Sequence, residues 1–330
     1  MSCQDIQPAY GRTVVISDTH FGEAGALLID PLFMQRLTDE LALDGPVSQV
    51  ILLGDVWDLW RSDLSSAMQA SRPFFSALSG LPGLRSLVLV FGNHDYHLYF
   101  NLAESRALRE AGRQGRVPAR LDPFLKEDAG PLKEVLGVPE HVEFTVEYPF
   151  HLLKWQGRVV MLTHGHQVDF FARRFWWAKT SWLARSAIKR VSGVSSSDLE
   201  LYNAPFFEAL YLFGRVPEFS DRTSRWYRYM QRAARLLGIS TPGRASYRRF
   251  TSVDENTREI TAMLTDLYPG HLPDVFIFGH THRAGSGRIE VGDGHRLEVY
   301  NTGSWLEEDG ATPATWLELD GEIKGLSLRK

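Results

Sequence analysis

The sequence predicts a layered α/β (α+β) fold, and three observations carry that prediction. Short apolar, β-branched runs alternate with segments of helical spacing along residues 13–112. Each run stops abruptly at a carboxylate, an amide or an imidazole. A strand-rich tail with tight turns closes the chain.

In order, Thr13–Ser17 reads as a buried strand, β-branched and apolar, bounded by Gly11 and by Asp18. Residues 31–43 place Leu32, Phe33, Leu37 and Leu41 at helical spacing, and Gly45-Pro46 stops them. Val47–Leu53 is a second strand, ending at Gly54-Asp55-Val56-Trp57-Asp58, and a helix is expected over residues 63–80. Leu87–Phe91 is a third strand, ending at Gly92-Asn93-His94-Asp95, with a helix over 96–112. Residues 113–140 show no clear period. Glu143–Leu153 and Arg158–Thr163 read as a hairpin turning near Gln156-Gly157, the second strand ending at His164-Gly165-His166. Asp274–Phe278 ends at Gly279-His280-Thr281-His282, and the tail reads as strands 288–291, 297–301, 314–319 and 323–328. Strand–helix alternation of this kind implies right-handed crossovers in one layered fold.

Composition narrows the class. A chain of 330 residues with 44% hydrophobic and 23% charged residues is an ordinary globular protein. The single cysteine, Cys3, excludes an intrachain disulfide framework and a thiolate metal cage. The N-terminus lacks the basic and apolar regions of a signal peptide, and no apolar window is long enough to span a bilayer. A cytoplasmic protein is therefore expected, with peripheral contact on the inner face of a membrane open to it.

The net charge is −4, but it is unevenly spread. Residues 170–250 hold 15 Lys+Arg against 5 Asp+Glu, and the remainder holds 21 against 35. The segment 167–270 is also rich in aromatics, among them Phe170, Phe171, Phe175, Trp176, Trp177 and Trp182, interleaved with arginines and lysines. Strand-ending ligands flank it on both sides, so it reads as a helical insertion within a single domain spanning 1–330. One reading makes it a cationic, aromatic cap for a phosphorylated lipid or an anionic membrane surface. The plainer reading makes the aromatics the insertion's own core and the arginines a solvated face.

Loops at the carboxyl ends of strands in an α/β sheet converge on one crevice. Asp18, His20, Asp55, Asn93, His164, His280 and His282 all occupy such positions. Carboxylate, amide and imidazole donors without thiolate suit Mn, Fe or Zn. They exceed the needs of one ion and suffice for two that share a carboxylate, the arrangement that supports phosphoryl chemistry. His97 and His166 fit no ligand position, and Trp57 and Trp60 read as packing. Arg61 has the forked donor geometry to grip a phosphate.

The set Asp18-x-His20, Gly54-Asp55-x-x-Asp58, Gly92-Asn93-His94-Asp95, His164 and Gly279-His280-x-His282 resembles the signature of the calcineurin-like metallophosphoesterases, in that family's order. The resemblance implies a four-layer αββα sandwich with a dinuclear centre. It implies that Asp18, His20 and His282 bind one metal, that Asn93, His164 and His280 bind the other, and that Asp55 bridges them. His94 would be the general acid or a phosphate ligand, oriented by Asp95, with Asn93 and Arg61 on the substrate and Asp58 in a supporting role. Within the family, Gly54 to Arg61, His164 to Asp169 and Asn301 to Glu307 resemble bacterial UDP-2,3-diacylglucosamine pyrophosphatases. His94 stands where some members of that group carry Arg.

The expected function is therefore hydrolysis of a pyrophosphate or phosphodiester with two divalent ions, most simply Mn. A UDP-diacylglucosamine-like lipid is the first expected substrate, and a lipid A precursor pathway the expected setting. A soluble nucleotide phosphodiesterase or general phosphatase is the alternative, and a non-catalytic metal-binding scaffold is a second. Nucleic acid is ranked low, because no recognition motif accompanies the basic insertion.

Overall fold

The computed structural model describes residues 7–9, 11–115, 124–167, 207–212, 215, 257–267, 272–291, 294–307 and 313–328. Most of the segment 167–270, expected from the sequence to be an insertion, lies outside the described residues, including Phe170–Phe171, Phe175–Trp177 and Trp182. No helix among the described residues is long and apolar enough to cross a membrane.

The fold is mixed α/β with two mixed sheets. Its strands are β1 (Gln7–Pro8), β2 (Thr13–Ile16), β3 (Gln49–Leu53), β4 (Ser86–Val90), β5 (Leu125–Asp128), β6 (Glu143–Tyr148), β7 (Phe150–Trp155), β8 (Arg158–Thr163), β9 (Val275–Phe278), β10 (Gly285–Val291), β11 (His295–Asn301), β12 (Thr315–Asp320) and β13 (Glu322–Ser327). The helices include α1 (Pro31–Leu43), α2 (Leu64–Ser79), α3 (Tyr96–Gln114), α4 (Pro131–Leu136) and α5 (Thr257–Leu267), and residues 207–212 are also helical. One sheet has the order β13-β12-β2-β3-β4-β6-β5, the other β1-β7-β8-β9-β11-β10.

The apolar strands read as continuous runs because both of their faces are covered. Along β2, β3 and β4, Val14, Ile16, Val50, Leu52, Leu87 and Leu89 point into one cluster with helices α1 to α3. Their alternates Val15, Ile51, Leu53, Val88 and Val90 point into a second cluster with Val160, Leu162, Val275 and Ile277 of the other sheet. The outer face of that other sheet buries Met161, Phe276 and Phe278 against Ile260, Met263 and Leu264 of α5. A strand with period two delivers alternate residues to opposite faces, so the layers run helix, sheet, sheet, helix.

Helix starts are set locally. The Asp30 side chain accepts from Leu32 N–H ahead of α1, and Asp63 accepts from Ser66 N–H ahead of α2. Pro73 lies within α2 without ending it.

Three sequence expectations need correction. Glu143–Leu153 is not one strand. It divides into β6 and β7, which belong to different sheets, with Pro149 between them. Proline has no N–H for a ladder, so the chain changes sheets there. Residues 113–140 contain β5 and α4, both too short to show a period. The first tail strand begins at Gly285, and its polar opening residues hide it from hydropathy.

The topology places the site. β2, β3 and β4 run parallel, as do β8 and β9, so their carboxyl ends carry Asp18, Asp55, Asn93, His164 and His280 to one side of the molecule.

Candidate metal centre

The strand ends are joined to one another by backbone hydrogen bonds. Asp18 N–H donates to Gly54 O (3.0 Å), His20 N–H to Asp55 O (3.0 Å) and Gly279 N–H to His164 O (3.0 Å). Asp18, His20, Asp55, His280 and His282 all hold positive φ, between 49° and 64°. Non-glycine residues rarely adopt this left-handed region, and such strain clusters at functional sites. Two glycines are sterically required. A Cβ on Gly54, itself at φ 78°, would lie 2.5 Å from His164 Cγ, and one on Gly279 would lie 2.5 Å from Asp18 Oδ2.

All seven expected ligands come together around one locus. His282 Nε2 lies 3.2 Å from Asp18 Oδ1 and 3.2 Å from His20 Nε2. His164 Nε2 lies 3.1 Å from Asn93 Oδ1 and 3.2 Å from Asp55 Oδ2. Asp55 Oδ2 also lies 3.9 Å from His20 Nε2, so one oxygen faces both groups. The His280 ring sits edge-on to that of His164, 5.1 Å between centroids. Three sets of donors can each converge on a cation: Asp18, His20 and His282; Asp55, His164 and His280; and His20, Asp55 and His94.

The spacing fits a cation. Donors about 2.1 Å from one ion, at tetrahedral or octahedral angles, lie about 3.0–3.4 Å from one another. The four distances of 3.1–3.2 Å fall in that range. Two imidazole nitrogens facing each other share only one proton between them, whereas a cation satisfies both lone pairs. Asp18 Oδ1 is buried without a hydrogen-bond donor. Burial alone would lower the His164 pKa, but the carboxylates of Asp55 and Asp18 outweigh it and raise the value to about 9. The site therefore favours positive charge where a metal would sit.

Supporting contacts fix the rings. His164 Nδ1 faces the Leu53 carbonyl at 3.0 Å, which turns Nε2 toward Asn93 and Asp55. His20 Nδ1 lies 3.4 Å from Asp58 Oδ2, turning its Nε2 toward His282. Asp18 Oδ2 accepts from His280 N–H (3.0 Å) and from the Ser17 hydroxyl, itself paired with Thr302 Oγ1. Asn301 Nδ2 donates to Gly279 O (2.7 Å), bracing the His280–His282 loop.

The expected partner of His94 is corrected by the geometry. Asp95 is buried and faces away, accepting from Val56 N–H (2.8 Å) and Gly92 N–H (2.6 Å). Burial and the nearby Asp55 charge push its pKa up to about 7. It is Asp58 that meets the ring, with Oδ1 3.0 Å from His94 Nδ1. Asp95 is three residues from Gly92 and adjacent to His94 in sequence; adjacency made it look like the partner, while the turn points it at backbone.

Other sequence expectations resolve in space. Arg61 is at the rim, 3.3 Å from Glu23 and 3.5 Å from Asp58 Oδ2. His166 is buried near His164, with Nε2 3.2 Å from Tyr148 Oη, and its pKa is driven well below the usual value by burial and by the neighbouring histidines. His97 Nδ1 meets Glu208 at 2.6 Å. Trp57 is fully buried and donates from Nε1 to Ser71 Oγ (2.9 Å), as packing. Trp60 was also expected to pack, but it stacks on the His94 ring itself, at 3.8 Å between centroids. No pattern in the sequence marks that contact.

No family model matches the chain, and no curated protein does. Among solved structures it is similar to a cold-active protein-tyrosine phosphatase of a psychrophilic Shewanella species, at 14% identity and TM-score 0.36, over 98% of this chain and 82% of that one. It is also similar to a dimetal phosphatase from Danio rerio, at 13% identity and TM-score 0.38, over 97% of this chain and 99% of that one. Overlap this low leaves the chemistry to the geometry of the site.

Proposed function

We propose that the protein is a dinuclear metal-dependent phosphoesterase, a hydrolase of phosphoric ester or pyrophosphate bonds. The observation that supports it best is the shared position of Asp55 Oδ2, 3.2 Å from His164 Nε2 and 3.9 Å from His20 Nε2, between two sets of donors. Asp18, His20 and His282 would hold one cation, Asn93, His164 and His280 the other, and Asp55 both. Two bound divalent ions supply positive charge to the phosphoryl oxygens and acidify the attacking water. Asp58 holds His94 at Nδ1, which leaves Nε2 to give a hydrogen bond or a proton to the departing oxygen. Asn93 stands at the locus with an amide that can contact a phosphoryl oxygen, and Arg61 lies at the rim with a fork suited to a phosphate, paired here with Glu23 and Asp58.

The substrate reading is a pyrophosphate or phosphodiester bearing a lipid-like or nucleotide group, with UDP-2,3-diacylglucosamine first. It is supported by the motif resemblance of residues 54–61, 164–169 and 301–307 and by the basic, aromatic composition of 167–270. In this reading 1–330 is one domain, and 167–270 is its cap, positioned for lipid or for an anionic membrane surface.

The test is release of UMP from a UDP-acylsugar by the Mn-loaded protein. Turnover of simple nucleotide diesters without turnover of the acylsugar would favour a soluble phosphodiesterase. Full metal loading with no turnover of either would favour a non-catalytic scaffold.

A further inference from the structure

Resting on the phosphoesterase reading, we propose that Trp60 is a positioning residue for His94, and that Phe207 of the insertion sets Trp60. The approach of Nδ1 to Asp58 Oδ1, at 3.0 Å, anchors one atom of the imidazole but leaves its plane free to pivot about that contact. The plane of His94 is fixed instead by Trp60, whose ring lies 3.8 Å away at an interplanar angle of 24°. His20 meets the His94 ring edge-on, 4.8 Å away at 88°. Together these contacts aim Nε2 toward the locus, 4.0 Å from Asp55 Oδ2.

Trp60 is itself only partly buried, at the end of the loop after β3, and needs a support of its own. Phe207 provides it. The Phe207 ring lies 5.7 Å from Trp60 at 29°, 5.2 Å from Tyr96 and 5.8 Å from His166. It thus touches the loop after β3, the start of α3 and the loop after β8, and it is buried by them. The same helical stretch, residues 207–212, is fastened to α3 a second time, where His97 stacks on Tyr211 at 3.5 Å and pairs with Glu208. A segment of the insertion is therefore joined through two rings to the side chain that acts on the leaving group. Aromatic pairs of this kind contribute beyond their buried area, enough to hold an orientation.

The test uses the full-length zinc-loaded protein with isotope-labelled histidine. The His94 ring resonances, assigned with His94→Gln, should be displaced by the indole ring current in the wild type. Trp60→Leu should abolish that displacement, Trp60→Phe should keep part of it, and Phe207→Ala should diminish it. In turnover with Mn, Trp60→Leu should lower kcat by up to about 10²-fold, the loss that small misplacement of a reacting group brings. KM and metal content should stay near wild type, and the loss should be greater for an alkyl leaving group than for a nitrophenyl one. An unchanged His94 resonance in Trp60→Leu overturns the proposal, and an unchanged one in Phe207→Ala overturns the part given to the insertion. Displaced resonances in a wild type that hydrolyses nothing would support the positioning and overturn the phosphoesterase reading.

Discussion

Asp18, His20, Asp55, His280 and His282 hold left-handed backbone at the ends of strands. Each such residue costs of order 1–3 kcal/mol, sustained by the surrounding core. The strain aims side chains from separate strands at one point. Gly54→Ala should displace His164, because the new Cβ would lie 2.5 Å from its ring and at φ 78°. The expected result is loss of about half of the bound metal by elemental analysis, with the far-ultraviolet spectrum retained. His94→Ala should leave metal content near wild type and lower turnover about 10²–10⁴-fold, as loss of a general acid does. Loss of metal in that variant would make His94 a ligand in place of an acid. Asp58→Asn should behave differently, weakening metal binding about 10–100-fold as supporting residues do, because Asp58 faces both His20 and His94. The seven donor residues that meet at the locus were legible as residues, since strand ends and donor types are local facts. The pairing of His94 with Asp58, and its stacking on Trp60, were not, because both depend on how a turn is wound.

At the scale of elements, alternate residues of β2, β3 and β4 serve two cores at once. That is why their runs are continuously apolar, and why the strands were readable from hydropathy. Ile277 of β9 is fully buried between the sheets. Ile277→Ala should lower stability by about 2–5 kcal/mol, measured by urea unfolding. Leu32 on α1 is 63% exposed, and Leu32→Ala should stay within about 0.5 kcal/mol of wild type. The break at Pro149 escaped the sequence reading because residues on both sides of it are strand-like. β6 and β7 differ in which sheet they join, and sheet membership leaves no mark on a strand's own residues.

Across the whole molecule, Glu147 of β6 and His151 of β7 form a buried pair between the two sheets, 2.9 Å apart, with Lys126 3.2 Å from the other Glu147 oxygen. Burial opposes ionisation of Glu147, but His151 and Lys126 outweigh it and hold its pKa below the ordinary 4.5. A carboxylate with a depressed folded-state pKa contributes stability that is present above its unfolded value and lost as the pH falls through the folded one. The melting temperature should therefore fall as the pH drops below 4.5, and the fall should be shallower in Glu147→Gln. An equally steep fall in that variant would remove the pair from the account. By itself the sequence determined the strand–helix order, the seven donor residues and the chemistry that such donors permit. Those follow from hydropathy, donor type and spacing along the chain. Only the tertiary structure decided which donors face one another, that Asp58 and not Asp95 faces His94 Nδ1, and that Phe207, more than a hundred positions away, packs on the ring that stacks on His94. Such contacts depend on distances in space, and neither spacing nor composition along a chain records them.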